Sequence, residues 1–192
     1  MIDPDRLDGA AAAVRDGEAV VYPTETVYGL GADALSADAV ERVFELKERP
    51  RDRPVSLAVG SVDDIEQYAR LTDREREFAE AFLPGPVTLV VERDPAVPDV
   101  LTGGLDRVGV RVPDHPVALA LLERVAPLTA TSANRSGQAS ARRVAEIDER
   151  VRAGAFVLDD GETPGGESTV VDLAAGEILR RGALADEIDS WL

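Results

Sequence analysis

Hydrophobic and polar positions alternate between helical and strand periodicities along the whole chain. Leu7, Ala11 and Val14 recur at helical spacing behind Asp3 and Pro4, a pair typical of a helix N-terminus. Short apolar runs between the helical stretches predict strands at 19–22, 55–59, 87–91, 108–112, 128–131, 156–158, 169–173 and 178–180. Strands that alternate with helices favour an α/β domain built on a mostly buried sheet.

The remaining helices are predicted from their capping residues. Ser36 begins a helix that must end before Pro50. Two further helices are predicted to start at the capping-box pairs Ser61–Asp64 and Thr72–Glu75. Others are predicted at 114–125 and 140–151, and a short helix is predicted at the C-terminal end. The glycine-rich stretch 159–167 is predicted to be a flexible loop over a site, because such loops often carry function.

Length and composition narrow the class of protein. A chain of 192 residues fits one domain, which we place at 1–192. The absence of cysteine excludes disulfides, zinc–thiolate and iron–sulfur sites, and a single histidine, His115, excludes a multi-histidine metal centre. No apolar run approaches the roughly 20 residues that span a bilayer. The acidic N-terminus lacks the features of a signal peptide, so we expect a cytoplasmic location.

The charge is strongly negative. The net charge is −16, from 21 Lys and Arg against 37 Asp and Glu. Such a charge argues against nucleic-acid binding, because the phosphate backbone requires a positively charged surface. Abundant acids, 4% aromatics and a single lysine, Lys47, are also typical of a halophilic protein, in which acidic side chains maintain solubility at high salt. On this interpretation, local positive clusters say more about the ligand than the total charge does.

Three familiar motifs do not fit the chain. The G-x-G-x-x-A run at 29–34 does not open a helix directly after a strand, as a dinucleotide fingerprint does. Lys47 lies in Glu-Leu-Lys-Glu-Arg, so a P-loop is excluded. His115 lies beside a helix start, where an exposed capping role is expected, and no nucleophile elbow accompanies it.

Polar residues concentrate where predicted strands and helices end. The segment 23–30, PTETVYGL, follows the first strand and is either a decorated turn or part of a site. The segment 47–54, KERPRDRP, joins Lys47 to three arginines. A lone lysine suits contact with a phosphate as a compact point charge. The alternative is a basic helix end that interacts with the helix dipole.

Hydroxyls, an amide and further arginines follow in the second half of the chain. The segment 129–137, TATSANRSG, can hydrogen-bond a polar ligand. Ser168 begins a strand after the glycine loop, and Arg180 ends the next strand. Arg111, inside an apolar strand, needs an anion, which is either a ligand carboxylate or a neighbouring Asp. These groups suit catalysis by positioning and charge stabilisation, such as attack of a carboxylate on a nucleotide α-phosphate.

Ordered motifs of the chain resemble those of the YrdC/Sua5 family of L-threonylcarbamoyladenylate synthases. They are YPTETVYGLGADA, K-x-R-P, PGPVTLV, VGVRVPDHP, TSANRSG, and STVVDL followed by LRRG. The resemblance covers 7–185 and implies a YrdC-like α/β fold, a twisted, mostly buried mixed sheet flanked by helices, with a large concave cleft. It implies an enzyme that makes threonylcarbamoyl-AMP and pyrophosphate from L-threonine, bicarbonate and ATP for the t6A37 modification of tRNA.

The resemblance also implies a set of site residues, carried over motif by motif. The catalytic residues would be Lys47, Arg49, Ser132 and Asn134. L-threonine would contact Thr26, Arg111 through its carboxylate, Ser132 and Ser168. The nucleotide would contact Lys47, Arg49, Arg53, Asn134 and Arg180. Mg²⁺ would accompany ATP with no protein ligand identified, and the product would pass to a tRNA threonylcarbamoyl-transferase complex.

The chain departs from the family pattern at a few positions. Ala58 stands where longer members carry a histidine, so one substrate contact is missing or replaced. Arg181 replaces a proline that is common after the counterpart of Arg180, and the chain resembles the short type without a second domain.

Two other functions fit less well. A carbamoyl-adenylate-forming relative would need acylphosphatase and zinc-finger regions, and a non-catalytic module would bind double-stranded RNA in the positive cleft.

Overall fold

The computed structural model describes residues 3–192, so the first two residues of the predicted domain lie outside the described range. The strands are β1 (Ala19–Pro23), β2 (Tyr28–Gly31), β3 (Ser56–Ala58), β4 (Ala69–Arg70), β5 (Val87–Arg93), β6 (Arg107–Arg111), β7 (Leu128–Ser132), β8 (Ala155–Val157), β9 (Thr169–Asp172) and β10 (Glu177–Arg180). The helices are α1 (Pro4–Arg15), α2 (Ala37–Lys47), α3 (Asp73–Phe82), α4 (Asp99–Thr102), α5 (Pro116–Leu122), α6 (Glu149–Ala153) and α7 (Ala185–Asp189), with 3₁₀ turns at Asp63–Gln67 and Val144–Glu146.

The described strands form one mixed sheet. Its order is β10-β9-β5-β6-β3-β7-β2-β1-β8, and β4 pairs with β5 outside this path. The pairs β1–β8, β3–β6 and β5–β9 are parallel, whereas the hairpin-like neighbours β1–β2, β5–β6 and β9–β10 are antiparallel. The α/β class predicted from the alternating pattern, with a mixed sheet and flanking helices, is confirmed.

The starts of α2 and α3 follow the predicted caps, whereas the helix predicted from Ser61–Asp64 is the 3₁₀ turn Asp63–Gln67 without a side-chain cap. Ser36 accepts a hydrogen bond from the backbone N–H of Ala39 at the start of α2. At the start of α3, Thr72 and Glu75 form a complete capping box, in which each side chain accepts from the other residue's backbone N–H. These signals work because a cap needs only residues within one turn of each other.

The sheet separates a hydrophobic core from a polar face. Leu57, Leu89 and Val110 are fully buried and pack in one cluster with Phe44 of α2 and Phe78 of α3. Side chains alternate between the two faces of a strand, so the neighbours of these residues point the other way. Helices α1 and α5 pack together over β1 and β7 in a second cluster.

Some predicted elements are wrong. The helix predicted at 140–151 is a 3₁₀ turn followed by α6, because the carbonyl oxygen of Arg142 accepts from the backbone N–H of Thr163 instead of a helical partner. The helix predicted from Asp114 is capped by His115 and ends at Leu122. Residues 28–30, the end of the polar connection predicted at 23–30, belong to strand β2.

Candidate active site

A cavity of about 380 Å³ lies on the polar face of the sheet. Ser56, Thr88 and Gly109 line its floor, each one residue away from a core residue of the same strand. Six predicted site residues line the same cavity: Thr26, Arg49, Arg111, Ser132, Ser168 and Arg180. The fold therefore brings together segments from both halves of the chain.

The open space above this floor depends on glycine, which has no side chain. A Cβ at Gly109 would lie 2.5 Å from the Ser56 Oγ and 3.0 Å from the Thr88 Cγ2. Gly29 and Gly31 of β2 lie against the ring of Tyr22, where a Cβ would approach ring atoms to 3.1 and 3.0 Å. The G-x-G run set aside as a nucleotide fingerprint thus makes room for a buried tyrosine.

Lys47 and Asn134 do not line the cavity. Lys47 is 1% exposed, and its ammonium donates hydrogen bonds to the backbone carbonyls of Ser132 and of Asn134, the latter at 2.7 Å. The side-chain amide of Asn134 donates to the carbonyls of Arg135 and Gln138, both at 2.8 Å. The pair therefore holds the loop after β7, and the predicted contacts of Lys47 with phosphate and of Asn134 with the nucleotide stay predictions.

Burial changes the protonation of Lys47. Desolvation, and to a lesser extent the charge of Arg49, lowers the pKa of Lys47 to about 7. A neutral amine still has two N–H groups to donate, which is enough for the two carbonyls. The same residue also accepts through its own carbonyl from the backbone N–H of Ser136, at 2.8 Å.

Two cavity arginines donate hydrogen bonds to neutral oxygen atoms. Arg49 donates to the carbonyls of Arg53 and Pro54, each at 2.9 Å. Arg180 donates to the carbonyl of Ser168 at 2.9 Å and to its hydroxyl at 2.7 Å. Within residues 3–192 neither guanidinium has a carboxylate within ion-pair distance.

The charges of these arginines act on one another. Burial first, and then the charges of Arg53 and Arg180, lower the pKa of Arg49, so three cations lie near each other. Arg53 itself does not line the cavity, and its predicted nucleotide contact stays a prediction. This concentration of uncompensated charge suits a polyanionic group such as a nucleotide phosphate chain.

Two other cavity arginines are paired with carboxylates. Arg111 forms an ion pair with Glu25, in which the two side chains are 14% and 13% exposed. Arg107 donates to the carboxylate of Asp172 at 2.9 Å and to the carbonyl of Val90 at 2.6 Å. The sequence predicts that Arg111 needs an anion, either a ligand carboxylate or a neighbouring aspartate. The structure shows a partner within the chain, which is a glutamate and not an aspartate.

The β1–β2 connection and the glycine loop meet at the edge of the cavity. The backbone N–H of Gly165 donates to the carbonyl of Thr26 at 2.7 Å. Tyr28 donates through its hydroxyl to the carbonyl of Gly161 at 2.7 Å. Gly166 and Glu167 line the cavity. The stretch 159–167 is therefore a loop beside the site, as predicted.

Several cavity residues were not predicted. Arg107 and Gly109 lie on the same face of β6 as the predicted residue Arg111, so alternation along this strand would have found both. Thr88 lies on β5, where no site residue was predicted. Tyr22 had no such signal, because it lies in an apolar run. Ala58 is the register partner of Arg111 but is fully buried among apolar side chains, outside the cavity lining.

The donor set of the cavity does not fit a protein-bound metal ion. Residues 3–192 contain no group of three or more His, Asp or Glu side chains arranged to hold a metal. The carboxylate of Glu25, close to the cavity, already pairs with Arg111.

In the same described range, no helix is both long and apolar enough to cross a membrane.

The fold and the cavity define a class, an α/β protein with an arginine-lined cavity on the polar face of a mixed sheet. Family comparison narrows this class. The chain belongs to the Sua5_yciO_yrdC family, whose model, described as "Telomere recombination", matches residues 12–182. The predicted family resemblance is confirmed.

Curated and structural relatives agree with this assignment. The threonylcarbamoyl-AMP synthase of Pyrococcus abyssi is 46% identical over 91% of this chain, and that of Bacillus subtilis is 40% identical over 96%. This chain spans about half the length of these relatives, 53% and 55%. It covers 94% of the threonylcarbamoyl-AMP synthase of Klebsiella pneumoniae, to which it is 38% identical. A structure of P. abyssi Sua5 complexed with L-threonine matches all of this chain with a TM-score of 0.90 at 41% identity and is covered to 58%.

Proposed function

We propose that the protein is an L-threonylcarbamoyladenylate synthase, a nucleotidyltransferase. It makes threonylcarbamoyl-AMP and pyrophosphate from L-threonine, bicarbonate and ATP. One observation carries this proposal. A single cavity holds arginines with no carboxylate partner among the described residues, which suit phosphates. Beside them lies a carboxylate-paired arginine among hydroxyls, which suits an amino acid. The names of the relatives in P. abyssi, B. subtilis and K. pneumoniae support it.

The reaction needs positioning more than acid–base chemistry. The threonine ammonium first loses a proton to solvent. The free amine then joins the carbon of bicarbonate, water leaves, and a carbamate forms. A carbamate oxygen then attacks the α-phosphorus of ATP, and the bond from that phosphorus to the pyrophosphate oxygen breaks. Arg49 and Arg180 would stabilise the negative charge that grows on the departing pyrophosphate. Arg111 would bind the threonine carboxylate, with the hydroxyls of Thr26, Ser132 and Ser168 nearby.

Mg²⁺ would enter as part of the substrate, bound to the ATP phosphates. Magnesium keeps much of its water shell and commonly takes substrate phosphates and few protein ligands, which suits a cavity without a carboxylate cluster. The product is a reactive acyl-phosphate anhydride. A tRNA threonylcarbamoyl-transferase complex in the cytoplasm would take it for the t6A modification of tRNA.

Pyrophosphate release from ATP tests the proposed function. The purified protein is incubated with Mg²⁺ and ATP in molar potassium chloride, and L-threonine or bicarbonate is omitted in turn. Release that requires both supports the synthase. Release without threonine, or only with carbamoyl phosphate, would indicate carbamoyl-adenylate chemistry instead. No release from a folded protein that binds double-stranded RNA would overturn the enzyme assignment.

A further inference from the structure

The cavity arginines differ in whether their charge is already balanced. Within residues 3–192, Arg49 and Arg180 donate to neutral carbonyl and hydroxyl oxygens and have no carboxylate partner. Arg111 donates to the carboxylate of Glu25. Both side chains of this pair are more than four-fifths buried, so water screens their charges weakly. The two neighbourhoods therefore present different electrostatic potentials to a ligand.

Glu25 is fixed in place by the turn that carries it. The hydroxyl of Thr24 accepts from the backbone N–H of Thr26 at 3.2 Å and donates to the carbonyl of Val27 at 2.7 Å. The carbonyl of Thr26 accepts from Gly165 at 2.7 Å, so the turn is held from both sides. Glu25 does not line the cavity, so it would act on a ligand without contact, through its charge and through its pairing with Arg111.

The charge of Glu25 affects two kinds of ligand differently. A nucleotide phosphate chain carries several negative charges, and a buried carboxylate beside Arg111 repels it. An amino acid carries one negative charge and one positive charge on two groups attached to the same carbon atom. Its carboxylate can still bind the guanidinium, and its ammonium is attracted by the negative charge of Glu25. A paired arginine thus favours an amino acid over a phosphate group.

We propose that Glu25 is a specificity-determining residue, which makes Arg111 accept the amino acid and refuse phosphate. ATP and pyrophosphate then bind only near Arg49 and Arg180, and L-threonine keeps its own place when phosphate is abundant. This inference rests on the proposed function, because it assumes that the same cavity receives both substrates. It assigns to the glutamate of the PTETVY segment a role that acts through Arg111.

Equilibrium binding with and without pyrophosphate tests this role. L-threonine is titrated calorimetrically into wild-type protein and into Glu25→Gln, at the lowest salt concentration that keeps the circular dichroism spectrum native. In the wild type, saturating pyrophosphate should leave the Kd for L-threonine unchanged. In Glu25→Gln, pyrophosphate should compete and raise that Kd roughly tenfold, because the repulsive charge is gone.

Two further variants separate the charge from the fold. Glu25→Asp keeps the carboxylate and should remain free of competition. Glu92 is exposed, pairs with Arg70 at 3.2 Å and does not line the cavity. Glu92→Gln therefore removes a carboxylate away from the site and should behave as the wild type. A Glu25→Gln protein that shows no competition contradicts the inference. So does competition in the wild type, a measurement that does not depend on any variant folding.

The outcome also separates this inference from the proposed function. A folded wild-type protein that binds neither L-threonine nor ATP contradicts the proposed function itself. A wild type that turns over both substrates, with Glu25→Gln unchanged in the competition experiment, contradicts only the role of Glu25.

Discussion

At the scale of single residues, Lys47 joins the end of α2 to the loop that follows β7. Its ammonium donates to the carbonyls of Ser132 and Asn134, and its carbonyl accepts from Ser136. The lone lysine in an arginine-rich chain predicted a role that needs a compact ammonium. Hydrogen bonding to two buried carbonyls in a closed space is such a role. Lys47 holds the segment that contributes Ser132 to the cavity, whether or not it also meets a phosphate.

Replacing Lys47 should impair catalysis strongly. Lys47→Ala leaves two buried carbonyls without a donor and loosens the loop, so we expect turnover to fall by about 10²- to 10³-fold. Lys47→Arg should also be impaired, because Lys47 is only 1% exposed and its enclosed space does not fit a larger, planar guanidinium. Steady-state pyrophosphate release measures both. Near-wild-type rates in Lys47→Ala would show that the enclosure does not matter.

The lowered pKa of Lys47 predicts a dependence of stability on pH. The folded protein releases this proton near pH 7, whereas an unfolded lysine keeps it to about pH 10.4. Between these values the unfolded state binds more protons, so the free energy of unfolding gains up to about 1.4 kcal/mol per pH unit from this group. Tyr22 and Tyr28, whose pKa values burial raises to about 12, act in the opposite direction only above pH 10.

Urea unfolding from pH 7 to pH 10 checks this dependence. The wild-type free energy of unfolding should rise with pH relative to that of Lys47→Met, which has no titrating group at this position. Parallel curves for the two proteins would show that Lys47 titrates normally in the fold.

At the scale of elements, strand alternation builds the cavity. In β5 and β6, Leu89 and Val110 enter the core, while Thr88 and Gly109 face the polar side. The register pairs Leu89 with Val110, so core residues meet core residues across the strands. A shift of one residue would exchange the two faces, which explains why the apolar core also fixes the cavity lining.

Filling the floor between these strands should damage binding. In Gly109→Ala, the new Cβ would lie 2.5 Å from the Ser56 Oγ, so side chains must move into the cavity. We expect KM for a substrate to rise roughly tenfold and stability to fall by about 1–3 kcal/mol. Adding Ser56→Ala removes the closest atom and should recover part of both losses. Additive effects in the double variant would contradict the steric explanation.

At the scale of the whole molecule, positive charge lines the cavity of a strongly acidic chain. The net charge is −16, yet Arg49, Arg107, Arg111 and Arg180 all line one cavity. Under the proposed function the charge of a ligand would be recognised locally, mainly by Arg49 and Arg180, since Arg107 and Arg111 already pair with carboxylates. The acidic remainder belongs mostly to the exposed surface. We propose that this surface is an adaptation to high salt, as the composition indicates.

Salt should stabilise the fold. Raising potassium chloride from about 0.1 M to about 1 M shortens the Debye length from about 10 Å to about 3 Å, which screens repulsion among surface carboxylates. We expect the thermal unfolding midpoint to rise by on the order of 5 °C. Differential scanning calorimetry across this range measures it. A midpoint that stays constant or falls would contradict the halophilic interpretation.

The sequence by itself determined the features that depend on neighbours along the chain. The caps at Ser36 and Thr72, most strands and the family motifs are of this kind, because capping and alternation act within one turn or a few residues. Only the tertiary structure decided the rest. Arg111 meets Glu25 86 positions away, and Lys47 reaches the carbonyl of Asn134 across 87. Such partners follow from strand order and packing, which place distant segments together through burial and which no local pattern encodes.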